Sequence, residues 1–353
     1  MKIDMHCHAW GCGKDIANAD NEAFYLIGNN SHWFVNSVFS YIQRNVSSFL
    51  PNNKKDCFTT DDFFEFFYWA LSTSKEIDAV VVLALDAPFS ANNGALMSNI
   101  CEFWVPNKFT INRIKTMNYN LRINRINKSV YYGASVNPNR RDWIEEFDYA
   151  LETGSPVLFK LVPSAQHIDL TDKRYVKFYK KLSDNNMPLL CHTGPEYALT
   201  EGIKHMERDE FEKLRLPLEC GVTVIAAHCA APVFPTDVNR VGEFCRFMEW
   251  ADREGLKLYA DTSNLSLSTR MHVISEILTG IPSNRMLHGS DFPIPVESTP
   301  IMPSPFNNIT LTDYLQILAT SNPLDRDVVI KRAHGFSDAT LSTALKVLNL
   351  PDK

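Results

Sequence analysis

Residues 222–262 read VTVIAAHCAAPVFPTDVNRVGEFCRFMEWADREGLKLYADT. The opening VTVIAAH (222–228) is a short apolar, β-branched run of the kind that forms a buried strand. Within Val238–Glu254, Val241, Phe244, Cys245 and Met248 recur at offsets of three and four, which places them on one face of a helix. LKLYADT (256–262) reads as a second strand. Strand, helix and strand in succession predict a βαβ unit with parallel strands.

The same alternation runs outward on both sides. Lys2–His8, Ala79–Asp86, Val130–Asn137, Val157–Pro163 and Pro188–His192 read as earlier strands, and Arg285–Asp291 as a later one, which makes eight. Helical spacing lies between them. It joins Ile144, Phe147 and Leu151 in Asp142–Leu151, and Tyr175, Phe178, Tyr179 and Leu182 beyond a capping Thr171. It recurs with Ile274, Ile277 and Leu278 in Thr269–Leu278. From Asn137 onward, strand ends follow one another about every 25–35 residues, the length of one strand–helix unit. The pattern predicts an α/β chain closed into a (β/α)8 TIM barrel, one domain over residues 1–353. An open doubly wound sheet is the alternative, but no Gly-x-Gly-x-x-Gly follows the first strand.

Two stretches break the rhythm. Residues 9–77 hold Trp10, Phe24, Tyr25, Trp33, Phe34, Phe39, Tyr41 and the run Phe63–Trp69. So many rings must pack, which predicts an aromatic-rich helical insertion over the barrel mouth, with Thr60 or Asp61 as a helix cap. Ala87–Ser129 is basic, with Lys108, Arg113, Lys115, Arg122, Arg125 and Lys128 against Glu102, and is also expected near the mouth. After the eighth strand, Pro293, Pro295, Pro300, Pro303 and Pro305 stiffen a loop. Ser337 is expected to cap a last helix that aligns Leu341, Leu345 and Leu348.

Hydrophobic residues make up 45% of the 353, enough apolar material to exclude disorder as the main state. A formal charge of -6 argues against a nucleic-acid partner. No apolar run of ~18 residues is present to cross a membrane. Eight cysteines without a Cys-x-x-Cys pair, and a start without a signal-peptide pattern, lead to the expectation of a cytoplasmic protein with reduced thiols.

The titratable residues stand at strand ends. His6 and His8 are two apart, so an extended strand points both to one side. Lys160, His192, His228 and Asp291 close the fourth, fifth, sixth and eighth strands. Buried together without a cation, such groups would cost several kcal/mol. They suit a divalent metal, Zn2+ best, with Mn2+, Fe2+, Co2+ or Ni2+ as alternatives. Cys7, Cys191 and Cys229 adjoin these positions but alternate away from them, so packing is the simpler reading. Glu196 and His167 are loop residues that could touch substrate. Lys14, Arg44 and the Arg113–Arg125 stretch could receive a substrate carboxylate or form a solvated face.

Ile3-Asp4-Met5-His6-Cys7-His8 resembles the opening of the amidohydrolase superfamily, and Leu287-His288-Gly289-Ser290-Asp291-Phe292-Pro293 resembles its closing strand. Leu190-Cys191-His192-Thr193-Gly194 and Ala226-Ala227-His228-Cys229 fall where that family keeps two further histidines. The resemblance is nearest to the amidohydrolase-2 branch, which holds aminocarboxymuconate-semialdehyde and resorcylate decarboxylases beside many hydrolases. It implies that His6, His8, His192 and Asp291 hold one metal, with His228 close enough to activate its water and Asp291 moving the proton. Lys160 would either contact substrate or, carbamylated, bridge to a second metal held by His192 and His228. The activity so implied is hydrolysis of an amide, lactone or ester bond of a small molecule. Non-oxidative decarboxylation is the alternative; it needs a cation near the leaving carboxylate, for which the loop after His8 offers Lys14. A catalytically dead binding protein is a third reading, and the intact ligand set speaks against it. By analogy the chain could form a homodimer. The aromatic insertion lies outside the family's common core and predicts a pocket with apolar walls.

Overall fold

The computed structural model describes residues 1–13, 22–25, 31–37, 40, 44, 59–294 and 309–351. Eight parallel strands follow one another in chain order around a single sheet. They are β1 (Ile3–His8), β2 (Ala79–Leu83), β3 (Ser129–Ala134) and β4 (Leu158–Leu161). Then come β5 (Leu189–Cys191), β6 (Val224–Ala226), β7 (Leu258–Asp261) and β8 (Met286–Leu287). The ring closes where the last segment meets the first. Met5 N donates to His288 O (3.0 Å), Asp291 N to His6 O (2.8 Å) and His8 N to Phe292 O (2.7 Å). This is the expected TIM barrel, and closure removes the open edges that a flat sheet would expose.

Alternation along the strands sorts the core into two layers. Ile3, Met5, Val81, Leu158, Leu190, Ile225 and Leu287 fill the barrel interior. Their neighbours Val80, Val82, Phe159, Leu189 and Val224 face outward and pack against the helices. Ala344 and Leu348 of the C-terminal segment join the interior cluster at the end away from the histidines.

Helix α1 (Thr60–Thr73) is capped by Thr59, one residue ahead of the expected Thr60 or Asp61. The Thr59 hydroxyl accepts from Asp62 N (3.2 Å) and the Asp62 carboxylate accepts from Thr59 N (3.0 Å), a reciprocal capping box. Thr60 Oγ1 instead accepts from Cys12 N at 2.9 Å. The rings of Phe63, Phe64, Phe66 and Phe67 are buried in the outer layer, so this part of the aromatic stretch is the β1–β2 crossover helix and not a cover for the mouth. Of the remaining aromatics, Phe39 and Tyr41 lie outside the described residues, as does Lys14.

Helix α2 (Asn107–Ile123) carries most of the basic stretch. Ile111, Ile114 and Met117 face the barrel wall, Lys108, Lys115 and Arg122 face solvent, and Arg113 pairs with Asp61 at 2.5 Å. Its basic residues therefore form a solvated outer face, which corrects the expected position at the mouth.

Several helix ends also differ from the sequence expectation. Helix α3 (Trp143–Tyr149) runs into a π-turn over Ala150–Gly154; Phe147 is buried, whereas Ile144 one turn earlier is 48% exposed and Leu151 within the π-turn is half-buried. Asp172, not Thr171, caps the turn that leads into α4 (Val176–Asp184). Helices α5 (Val241–Arg253) and α6 (Met271–Gly280) each start two or three residues later than predicted. After α7 (Pro323–Ala333), the last helix α8 (Thr340–Val347) begins beyond Ser337, whose hydroxyl accepts from Ala339 N (3.2 Å). Leu341 is buried there but Leu345 is exposed.

Candidate metal centre

The register between β1 and β2 slips between Asp4 and Cys7. Ile3 and Met5 point into the barrel before this bulge, and His6 and His8 line the cavity beyond it. The irregularity thus re-aims the histidines inward, a common use of bulges beside functional sites. Cys7 faces the outer layer, with its thiol 3.8 Å from Ser290 Oγ. Gly289 makes the close approach possible, because a Cβ there would stand 2.7 Å from His6 Cβ.

Three ligand atoms meet at the C-terminal end of the barrel. His6 Nε2 lies 3.2 Å from His8 Nε2 and 3.3 Å from Asp291 Oδ1, and His8 Nε2 lies 3.0 Å from the same carboxylate oxygen. Donors about 2.0–2.1 Å from a tetrahedral ion stand about 3.3–3.4 Å apart, so the spacing fits a divalent cation. The His6 Nδ1–H donates to Asp261 Oδ2 at 2.7 Å, which leaves the Nε2 lone pair turned to its neighbours. Burial, and then the Lys160 charge, hold His6 well below the ordinary imidazole pKa, so the ring is neutral and able to ligate. Asp291 is drawn upward by burial, but His6 and His8 outweigh this and keep it below the ordinary carboxylate value. Asn264 Nδ2 donates to its other oxygen, Oδ2, at 3.1 Å.

His192 follows β5 and His228 follows β6. His228 takes a left-handed backbone, φ +58°, so its ring turns inward although Ala227 beside it also faces the interior. Its Nε2 stands 3.2 Å from His192 Nδ1, and its Nδ1 lies 2.8 Å from Ser263 Oγ. The Ser263 hydroxyl donates to Asp261 Oδ1, so it accepts from His228 Nδ1–H. The neutral ring then presents the Nε2 lone pair to His192 Nδ1–H. In that tautomer His192 Nε2 also carries a lone pair; it is buried with no hydrogen-bond partner and 3.6 Å from Glu196 Oε2. Burial depresses the pKa of both imidazoles.

Lys160 lies in the same chamber, Nζ 3.3 Å from His6 Nε2, and burial lowers its pKa. Burial raises Glu196 to about 7. The chamber opens into a cavity of about 400 Å³ that these residues line together with Trp10, Phe34, Phe103 and Phe234. Phe34 packs edge-on against Tyr197 and Phe234, so Phe34 and Trp10, both described residues of the 9–77 stretch, do wall the mouth. Pro293 and Ile294 of the proline loop contribute another wall, and the later prolines lie outside the described residues.

His167 is elsewhere, in a separate group with Glu201 (2.6 Å) and His205. Arg44 is exposed and its Nε donates to Ser40 O. Cys191 and Cys229 are buried in the outward layer like Cys7. Two residues of the site escape the sequence reading. Asp261 ends β7 and accepts from His6, from His228 N (2.8 Å) and from Ser263 N (3.0 Å). Its position at a strand's C-terminal end was the available signal. Arg270, in the loop after β7, is buried against the cavity, and nothing in its local sequence marks it.

The family profile described as Amidohydrolase matches residues 3–331. No curated protein sequence matches the chain. Among solved structures, 5-carboxyvanillate decarboxylase LigW from Sphingomonas paucimobilis is 9% identical, with a TM-score of 0.53 over 99% of this chain and 99% of its own. An uncharacterised TIM-barrel protein from Bordetella bronchiseptica is 15% identical, with a TM-score of 0.50 over 97% of this chain and 99% of its own. 4-Oxalomesaconate hydratase LigJ from Rhodopseudomonas palustris is 14% identical, with a TM-score of 0.45 over 98% and 99%. At these identities the likeness is one of fold.

Proposed function

The chain belongs to the amidohydrolase family, and on that premise we propose that it is a metal-dependent hydrolase cutting an amide, lactone or ester bond of a small molecule. The observation that carries this reading is the mutual spacing of 3.0–3.3 Å among His6 Nε2, His8 Nε2 and Asp291 Oδ1. These three residues would hold one divalent cation; His192, expected from the sequence as the fourth donor, stands outside their group. Two or three imidazoles and a carboxylate suit Zn2+ best, with Mn2+, Fe2+, Co2+ or Ni2+ as alternatives. Bound there, such a cation supplies Lewis acidity and makes water a nucleophile at neutral pH.

The protein's own groups supply the remaining chemistry. Asp291, kept ionised by its imidazole neighbours, accepts the water's proton and returns it to the leaving group. Lys160 Nζ donates to a substrate oxygen. His228 is a positioning residue in this scheme: its two ring nitrogens are engaged by Ser263 and His192, so it acts through His192. This differs from the direct contact with water, or with a second metal, expected from the sequence. Apolar walls exclude bulk water and favour a substrate of modest size with an aromatic or alkyl part.

Non-oxidative decarboxylation is the second reading, and the amine of Lys160, buried beside His6, favours it by offering a partner for a leaving carboxylate. A soluble cytoplasmic enzyme, able to form a homodimer and without nucleic-acid or membrane partners, belongs to the same proposal. No described helix is long and apolar enough to cross a membrane.

The test begins with metal analysis of the purified protein and of His6→Asn and Asp291→Asn. One ion per chain, lost in both variants, is expected; retention of the ion by both would overturn the ligand assignment. Two ions would replace the single-cation site with one bridged through Lys160. Turnover of a panel of lactones, esters, amides and aromatic acids in 18O-labelled water then separates the reactions. Label entering the product supports hydrolysis, and carbon dioxide release without it supports decarboxylation.

A further inference from the structure

Arg270 is 2% exposed and is among the largest fully buried side chains of the protein. Among the described residues its guanidinium makes a single hydrogen bond, Nη1 to the Ala231 carbonyl at 3.1 Å, and its Nε has no partner. No described carboxylate lies within ion-pair distance of it. Other buried or partly buried cations are treated differently. Lys331 Nζ is held by Asp327 (2.5 Å) and Gly289 O (2.6 Å), and Arg140 by Asp86 (3.1 Å) and Asp142 (2.8 Å). Arg270 stays charged at neutral pH even where burial lowers it to about 10. An unpaired buried guanidinium is strongly unfavourable unless a ligand completes it.

The surroundings show what is missing. Arg270 lines the metal-centre cavity, and so does Thr269, whose hydroxyl is likewise buried without a hydrogen-bond partner. A guanidinium fork and a hydroxyl donor in one loop, amid apolar walls, form a receptor for a planar anion. Asp291 and Glu196 are close enough to act on the Arg270 charge, so a monoanion is favoured over a doubly charged phosphate. The Ala231 hydrogen bond ties the loop after β7 to the loop after β6, which fixes the fork before any ligand arrives.

We propose that Arg270 and Thr269 form a carboxylate-recognition subsite, and that the substrate is an organic acid with an apolar body and a carboxylate seated there. This rests on the reading of the cavity as the active site and specifies what enters it.

The test uses chelator-treated, metal-free full-length protein and three probes: benzoate, its neutral isostere benzamide, and phenyl phosphate. Calorimetric titration is expected to show benzoate binding at least about tenfold more tightly than benzamide, as for a hydrogen bond to a charged group. Arg270→Met should abolish that preference, and its unliganded melting temperature should equal or exceed that of the wild type, because an unpaired charge has gone. A merely structural arginine would instead lower it. Equal binding of benzoate and benzamide overturns the proposal, as does tighter binding of phenyl phosphate. A benzoate preference that survives in Arg270→Met assigns the carboxylate to Lys160 and also overturns it. Should Arg270→Met not fold, Thr269→Val decides: weakened benzoate binding with benzamide unchanged supports the subsite, and no change in either overturns it. No metal or turnover enters this experiment, so the subsite can stand while the hydrolase reading fails, and the reverse holds too.

Discussion

Asp261 has no assigned part in bond cleavage, yet its carboxylate joins both halves of the histidine cluster. One oxygen accepts from His6 Nδ1, and the other from the backbone of His228 and from Ser263. Asp261→Asn would offer an N–H where one has to be accepted, so His6 would rotate or change tautomer. Metal affinity is expected to fall about 10–100-fold, as for other carboxylates behind a ligating imidazole, read by competition with a chromophoric chelator. His6 and His8 were legible because their spacing of two fixes a shared side. Asp261 was not, since an acid at the end of LYAD looks like any strand terminus until the partner rings are in place. Arg270 was hidden for a related reason: burial of a long charged side chain is a property of the loops packed around it, not of its neighbours in sequence.

Element ends depend on finer chemistry than element interiors. Apolar spacing revealed the helices, but the choice between Thr59 and Thr60 as a cap is settled by which hydroxyl reaches the third amide. Thr59→Ala should cost about 1 kcal/mol, measurable by denaturant titration, whereas the pairing of Thr60 with Cys12 N makes Thr60 a poor substitute. Similarly, the π-turn after α3 could not be read from a 3.6-residue period, and it shifts Leu151 out of phase with Phe147. A second prediction concerns Glu76, which ties the start of β1 to α7 through Lys2 (2.9 Å) and Arg332 (2.8 Å). Arg332 first, and then Lys2, hold its carboxyl at about 2, below the ordinary 4.5. A depressed carboxylate contributes stability above its unfolded pKa and loses it as the pH falls toward the folded one. Glu76→Gln should therefore destabilise at pH 7 by about 0.5–1 kcal/mol, the range of partly exposed pairs, and the difference should fade between pH 4.5 and 2. Thermal melts of both proteins across that interval check it.

At the scale of the molecule, the alternation of strands and helices was enough to foresee the barrel, because each unit must bury its faces in the same way as the last. Which segments cover the mouth was not foreseeable. The basic stretch and the phenylalanine run could each have gone to either end of the ring, and packing sent both to the outer wall. A cation bound to the closed barrel and not to the open chain stabilises it by mass action, about 2.7 kcal/mol at a free concentration 100 times Kd. Chelation should accordingly lower the melting temperature of the wild type and leave that of Asp291→Asn nearly unmoved, as differential scanning calorimetry would show. The donors that make this possible come from the first and last strands in chain order, His6 in β1 and Asp291 just after β8, held side by side by the Asp291 N to His6 O hydrogen bond. A polypeptide emerging from the ribosome consequently lacks the His6, His8 and Asp291 set until residue 291 has been synthesised, so an ion held by all three would be captured only after every strand has been made.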